Sequence, residues 1–287
     1  MLDKYTTEWR TTLECVPSGK SFSPSGTYAE STWSGWQVGN TTAKSHYVQA
    51  AWRVPVVTTP PYPIPQFQIA TGVTYMSGTW VGLGCGQLYG ASCDNSHPLI
   101  QTGTKEEVNP INGQVTYAFW YEIWPDNYYT FDNSWDGKPM DIQAGDEVAA
   151  DVFWMPQDNI AQLGVCNFTR NTCVNTYISN FIAYNTDGAN VNSVAEPDTA
   201  EWVHEAPFWG WYGIGIIPTF SQINFTNACW APTTTYINTG TELIGSVNCQ
   251  PITAGASQLP LQYNQLQMST PSPIGPTGSD FYIYNGP

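Results

Sequence analysis

The run Trp120-Tyr121-Glu122-Ile123-Trp124-Pro125 sets the tightest limit on how this chain can fold. Its aromatic and β-branched residues favour a strand, and strand side chains alternate between two faces with a period of two. Trp120, Glu122 and Trp124 then share one face, while Phe119, Tyr121 and Ile123 share the other. Two indoles flanking a carboxylate make a poor core stripe, because a buried unpaired carboxylate is costly. They make a good groove floor for an extended polymer. The run therefore points to chemistry or binding on a sheet surface.

Helical periodicity is nearly absent elsewhere. Short runs rich in Val, Ile, Thr, Tyr, Phe and Trp recur between clusters of Gly, Pro, Asn and Asp, the pattern of an all-β sandwich or barrel. Strands are expected at 33–38, 47–54, 79–83, 115–124, 147–154, 176–184, 200–205, 222–227 and 281–284. Asn112-Gly113 and Ala144-Gly145-Asp146 are turn signals at strand starts. The proline-rich stretch 60–65 cannot sit inside a sheet and reads as a stiff surface loop. All-β folds of this size are often single domains, so residues 1–287 are read as one domain. Residues 1–28 form an N-terminal arm in this reading, and the Pro/Gly-rich segment 260–287 packs on the domain.

Only 11% of residues are charged, and 8 Lys+Arg stand against 23 Asp+Glu, a formal charge of −15. Such a chain repels nucleic-acid phosphates and anionic membrane, so neither is expected as a partner. With few cations, charge repulsion stays mild in acid once carboxylates are neutral, which suits work at low pH. The seven cysteines, Cys15, Cys85, Cys93, Cys166, Cys173, Cys229 and Cys249, point to an oxidising compartment with at most three bridges. Cys166 and Cys173 flank a polar turn and are expected to bridge across a hairpin; Cys85 with Cys93 is a second candidate. Sequons at Asn40, Asn167 and Asn224 are compatible with secretion. The opening Met-Leu-Asp-Lys-Tyr has no apolar signal-peptide region, so a secreted, extracellular location presumes a start after processing.

Two further strands carry polar groups. Residues 200–205 put Glu201, Val203 and Glu205 on one face, and 99–103 put Gln101 beside Leu99. In order along the chain stand Trp33-Ser34-Gly35, Trp52-Arg53-Val54-Pro55, Trp80-Val81-Gly82, Gln101-Thr102-Gly103, Trp120-Tyr121-Glu122 and Gly145-Asp146. Ala200-Glu201-Trp202, with Glu205 three residues on, and Phe225-Thr226-Asn227-Ala228 follow. This series resembles the eqolisins, the glutamic peptidases typified by fungal acid endopeptidases, over roughly residues 31–230. Each motif is short; their number and order carry the resemblance.

The resemblance implies a concanavalin- or lectin-like jelly roll of two large antiparallel sheets, with a Gln/Glu dyad on the concave face of one. On this chain the dyad is Gln101 and Glu205. Glu205 would take a proton from water as it attacks a peptide carbonyl and return it to the leaving amine. Gln101 would stabilise the oxyanion with an amide that stays uncharged in acid. The two are expected on adjacent strands, close enough to share a water, with activity highest below about pH 5. By the same resemblance Trp33, Trp80, Trp120, Glu122 and Trp124 form the substrate-binding wall, Glu122 as a hydrogen-bonding support. The chain departs from the family in carrying Trp124 where a Tyr occurs, and Gly84 where an Asp is frequent. The segment from Gly84 to Gln101 is also longer, with Cys85, Cys93 and His97.

Glu201 shares a face with Glu205 and is the rival general base, whereas His204 points the other way and reads as a satisfied core histidine. His46 and His97 show no metal-ligand spacing, and no Gly-x-Ser-x-Gly elbow occurs, so no metal, cofactor or serine nucleophile is expected. The substrate expected is a polypeptide, and the chemistry needs only a monomer. Two alternatives stay open on the residues: a glycoside hydrolase using Glu122 and Glu205, and a non-catalytic lectin-like carbohydrate binder. The first would set its carboxyl groups about 5 Å or about 6.5–9.5 Å apart across a sugar site.

Overall fold

The computed structural model describes residues 32–39, 44–60, 74–84, 98–124, 128–156, 158–179, 183–184, 190–191, 197–207, 217–232, 234–238, 243–247, 249–252, 256–259, 261–263 and 266–285. Among them there are strands and turns and no helix. Two large antiparallel sheets form a sandwich. The seven-stranded sheet runs, edge to edge, β19 (Ser257–Leu259), β1 (Trp33–Gly39), β13 (Thr199–Glu205), β4 (Tyr75–Leu83), β5 (Leu99–Val108), β6 (Val115–Trp124) and β7 (Tyr129–Thr130).

The nine-stranded sheet begins with β10 (Thr172–Ser179), β9 (Ile160–Asn167), β8 (Glu147–Met155) and β2 (Tyr47–Arg53). It continues through β15 (Ile223–Ala231), β22 (Phe281–Asn285), β21 (Leu266–Pro271) and β20 (Leu261–Tyr263), with β18 (Gln250–Pro251) paired to β15. Small ribbons join β3 (Val57–Thr58) to β14 (Thr219–Phe220), β11 (Ala183–Tyr184) to β12 (Asn190–Val191), and β16 (Thr234–Asn238) to β17 (Leu243–Val247).

The period-two alternation explains both faces of the smaller sheet. Trp36, Val38, Val81, Leu83, Ile100, Phe119, Ala200 and Trp202 point inward. They meet Val48, Ala50, Trp52, Val148, Val152, Trp154, Leu163 and Phe225 from the larger sheet. Two of the buried indoles satisfy their N–H groups on backbone carbonyls: Trp36 donates to Ser272 O at 3.1 Å, and Trp202 to Gln49 O at 2.7 Å. The opposite face gathers a separate cluster of Trp33, Trp80, Leu99, Trp120 and Val203, and this face carries the cleft.

Most expected strands are present, with shifted ends. The span expected at 79–83 starts at Tyr75, and the one expected at 222–227 runs on to Ala231. The span expected at 176–184 begins at Thr172, because the turn after Asn167 already folds β10 back on β9. That turn carries Asn171 at φ 55, a left-handed conformation Asn tolerates. Strand β9 itself was not expected. Cys166 stands opposite Cys173 in this hairpin, and the two form the disulfide that spacing suggested. A second disulfide, Cys229–Cys249, joins β15 to the residue before β18 and has no sequence signal. Cys15, Cys85, Cys93, the arm 1–28, residues 61–65, His97 and the sequon at Asn40 lie outside the described residues. In the C-terminal segment β21 and β22 are strands of the larger sheet, hydrogen-bonded through β15 to its centre.

Candidate active site

The cleft has a volume of about 410 Å³, and Trp33, Gln101, Trp120, Glu122, Trp124 and Glu205 are among its lining residues. Strand parity puts them there. Gln101 on β5 is paired with Glu122 on β6 and with Gly82 on β4, so their side chains share a face. Glu205, at the end of β13, is paired with Trp33 on β1 and with Gly78 on β4. Gly78 lines the cleft beside Trp80, whereas the Trp80 ring and Leu99 cover Gly82.

The carboxylate of Glu205 accepts the indole N–H of Trp33 at 3.0 Å on one oxygen and that of Trp80 at 2.9 Å on the other. These two rings meet edge to face, with centroids 4.9 Å apart. Trp80 is fully buried and lies beneath the cleft rather than along its wall. Desolvation by this apolar frame pushes Glu205 up to about 7; the two indole bonds pull against it, and the Glu122 charge adds to it. Glu205 is thus a carboxyl group held in fixed orientation and poised to change protonation near neutrality.

Gln101 is buried, and its Nε2 donates to Glu122 Oε2 at 2.6 Å. Its Oε1 and the indole N–H of Trp120 are buried and have no hydrogen-bond partner among the described residues. Both are buried polar groups left unsatisfied on residues that line the cleft. Gly103 explains the glycine of the Gln-Thr-Gly motif: an added Cβ there would meet the Thr79 carbonyl and would lie 2.7 Å from Trp80 Cα. Gly84, at φ 90, has a left-handed backbone, and a Cβ would meet Pro98 O at 2.6 Å. An Asp at this position would be strained, which accounts for that departure.

The geometry corrects one expectation. Gln101 and Glu205 share a sheet and a face, but β4 lies between their strands. Their rows are also four residues apart, since Glu201 rather than Glu205 aligns with Gln101 across Gly82. Flat-sheet spacings put their Cα atoms on the order of 16 Å apart. Strand adjacency depends on long-range pairing, which short motifs do not encode.

Glu201 does not line the cleft. It is fully buried and accepts the Gln37 amide N–H at 3.0 Å from the facing position on β1. Burial raises its pKa well above the carboxylate range. His204 is buried on the inner face, its Nδ1 2.9 Å from Thr79 Oγ1 and its ring 4.3 Å from that of Phe220. Desolvation depresses it to about 3, so it is a neutral core histidine. Among the described residues no group of three or more His, Cys, Asp or Glu could hold a metal ion. Sequence reasoning missed Lys105 and Tyr128, which also line the cleft. The i to i+4 step from Gln101 to Lys105 along one strand face would have found the first.

The sequence pattern of the Peptidase A4 family matches residues 31–250. The chain belongs to the Peptidase A4 family. It is a glutamic peptidase, a hydrolase acting on peptide bonds. Among solved structures, aspergilloglutamic peptidase from Aspergillus niger is similar over 74% of this chain and 99% of that chain, at 19% identity and a TM-score of 0.48. The enzymatically active domain of bacteriophage CBA120 tailspike protein 2 matches 75% of this chain and 28% of that one, at 9% identity and a TM-score of 0.28. No match to a curated protein was found. Family membership agrees with the eqolisin resemblance and takes away the ground for the glycosidase and lectin alternatives.

Proposed function

We propose that this Peptidase A4 member is a secreted endopeptidase working on the acid side of neutrality, with Glu205 as general base and acid and Gln101 as oxyanion donor. The observation that carries this reading is the environment of Glu205: a desolvated carboxyl at the cleft floor, aimed by two indole N–H groups. Water held in the cleft gives its proton to Glu205 as it attacks the scissile carbonyl. The developing oxyanion meets the Gln101 amide, which keeps one N–H after the other is given to Glu122. Glu205 then passes the proton to the leaving amine. Trp33, Trp120 and Trp124 grip the peptide, and Trp80 and Glu122 orient Glu205 and Gln101.

Composition alone favours an optimum below about pH 5; burial of Glu205 moves its ionised form toward neutral pH, so the working window extends higher than that. Digestion of a denatured protein across about pH 3 to 7, with Glu205→Gln as control, tests the reading. Internal cleavage by the wild type and none by the variant is expected. Full activity of Glu205→Gln, or loss of wild-type activity on adding a chelator, would refute it.

A further inference from the structure

Lys105 lies on the face of β5 that carries Gln101, four residues along, and lines the same cleft. Among the described lining residues it is the only cation, in a chain with 8 Lys+Arg against 23 Asp+Glu. Its ammonium donates to the Tyr128 hydroxyl at 3.3 Å and sits 4.9 Å from the centroid of that ring. Glu107 Oε1 lies 3.1 Å from the ammonium, but the pair is partly exposed, where such contacts contribute little and yield to competition.

Lys105, Gly78 and Glu205 occupy one row across three strands, with a glycine in the middle. Gly78 adds no side chain to that row, and the Trp120 ring borders it, 3.5 Å from where a Gly78 Cβ would lie. Two strand spacings separate their Cα atoms by about 10 Å. An extended peptide advances about 3.3 Å per residue, so the cation meets a side chain about two to four residues from the bond beside Glu205.

We propose that Lys105 and Tyr128 form an anion-recognising subsite that selects peptide substrates carrying a carboxylate side chain at that distance from the cleaved bond. The assignment rests on the peptidase reading of the cleft. Lys105 supplies the charge, and Tyr128, which accepts from the ammonium, keeps its own O–H to donate to the second carboxylate oxygen. A net charge of −15 repels acidic peptides from most of the surface, so one cation in the cleft decides where and in which register they bind.

The test uses matched peptides differing only by Glu, Gln or Lys at each position within about four residues of the cleaved bond. It is run at about pH 5, above the ordinary glutamate pKa of about 4.3. At one position the wild type should prefer Glu over Gln by about tenfold in kcat/KM, as one charge-assisted contact supplies. The ratio should fall to about one in Lys105→Met and turn toward the Lys peptide in Lys105→Glu. It should fade below about pH 4, as the peptide carboxylate takes up its proton. Because each ratio is taken within one variant, lowered stability does not mimic the result. An unchanged ratio in Lys105→Met, or no wild-type preference at any position, overturns the subsite.

Calorimetric binding of the same peptides to Glu205→Gln, with and without Lys105→Met, reads the subsite without turnover. A Glu preference lost with Lys105 supports it even if cleavage itself fails, and equal affinities overturn it.

Discussion

Gln101 and Glu122 stand directly opposite each other on β5 and β6, and the amide donates to the carboxylate across 2.6 Å. The contact fixes the plane of the amide and commits one of its two N–H groups, so the other points at one defined place in the cleft. Glu122 also acts on Glu205, raising its pKa through charge alone. A single carboxylate thus supports both members of the proposed dyad.

Glu122→Gln keeps a hydrogen-bonding group in place and should lower kcat/KM by about tenfold, within the range for one charged hydrogen bond. Glu205→Gln removes the only group proposed to take the water's proton and should cost about 100- to 10,000-fold. Steady-state kinetics on one peptide ranks the two. A dead Glu122→Gln beside a near-normal Glu205→Gln would reverse the assignment of the base.

The pH dependence of kcat/KM reports the free enzyme. With Glu205 as base, activity should climb as it loses its proton, and burial places that limb above the ordinary glutamate range. Removing a negative neighbour lowers a carboxyl pKa, so Glu122→Gln should shift this limb toward lower pH. A limb that stays in place would mean that Glu205 does not control it.

Trp124 is 41% exposed at the cleft wall, where it can stack on substrate without touching the dyad. Trp124→Ala should raise KM several-fold and leave kcat within about twofold, since such contacts hold ground and transition states alike. A fall confined to kcat would place Trp124 in the chemical step instead.

Stability should peak in acid. Glu106 is buried between the sheets, bonded by Ser77 and Thr104, and desolvation raises it to about 8. Burial likewise lifts Asp151 to about 7 and Glu201 well above the carboxylate range. A carboxyl with a raised folded pKa holds its proton more tightly in the native state. Its stabilisation is whole below the unfolded value of about 4 and is lost as pH rises through the folded value. Asp146 opposes this: burial pushes it up, but bonds from Arg170 and Asn167 outweigh that and hold it below the usual range. His204, depressed to about 3, also opposes it, since its neutral buried form loses stability as pH falls below about 6.5. The raised carboxyls number four with Glu205 and outweigh these, so Tm should fall by on the order of 10 °C between pH 4 and pH 8. Glu106→Gln, neutral at every pH, should flatten that fall in a calorimetric scan. A Tm rising from pH 4 to pH 8 would contradict the balance.

The sequon at Asn167 shows how local reading can mislead. Its side chain is fully buried and donates to Asp146 Oδ2 at 2.8 Å and to Asp141 O at 3.1 Å, so it serves the fold. Nothing in Asn-Phe-Thr distinguishes it from the exposed Asn224.

Period-two alternation is a property of neighbouring residues, and so the sequence alone determined that Trp120, Glu122 and Trp124 share a face and that His204 turns away from Glu205. It determined the all-β class for the same reason, and the ordered motifs put forward Gln101 and Glu205 as candidates. Pairing between distant strands was decided only by the tertiary structure. Trp33 reaches Glu205 across 172 positions of chain because β1 lies beside β13. The same strand order interposes β4 between Gln101 and Glu205, buries Glu201 against Gln37, and turns Lys105 into the cleft. These contacts depend on which strands become neighbours and in what register, and that choice comes from the packing of the whole sandwich.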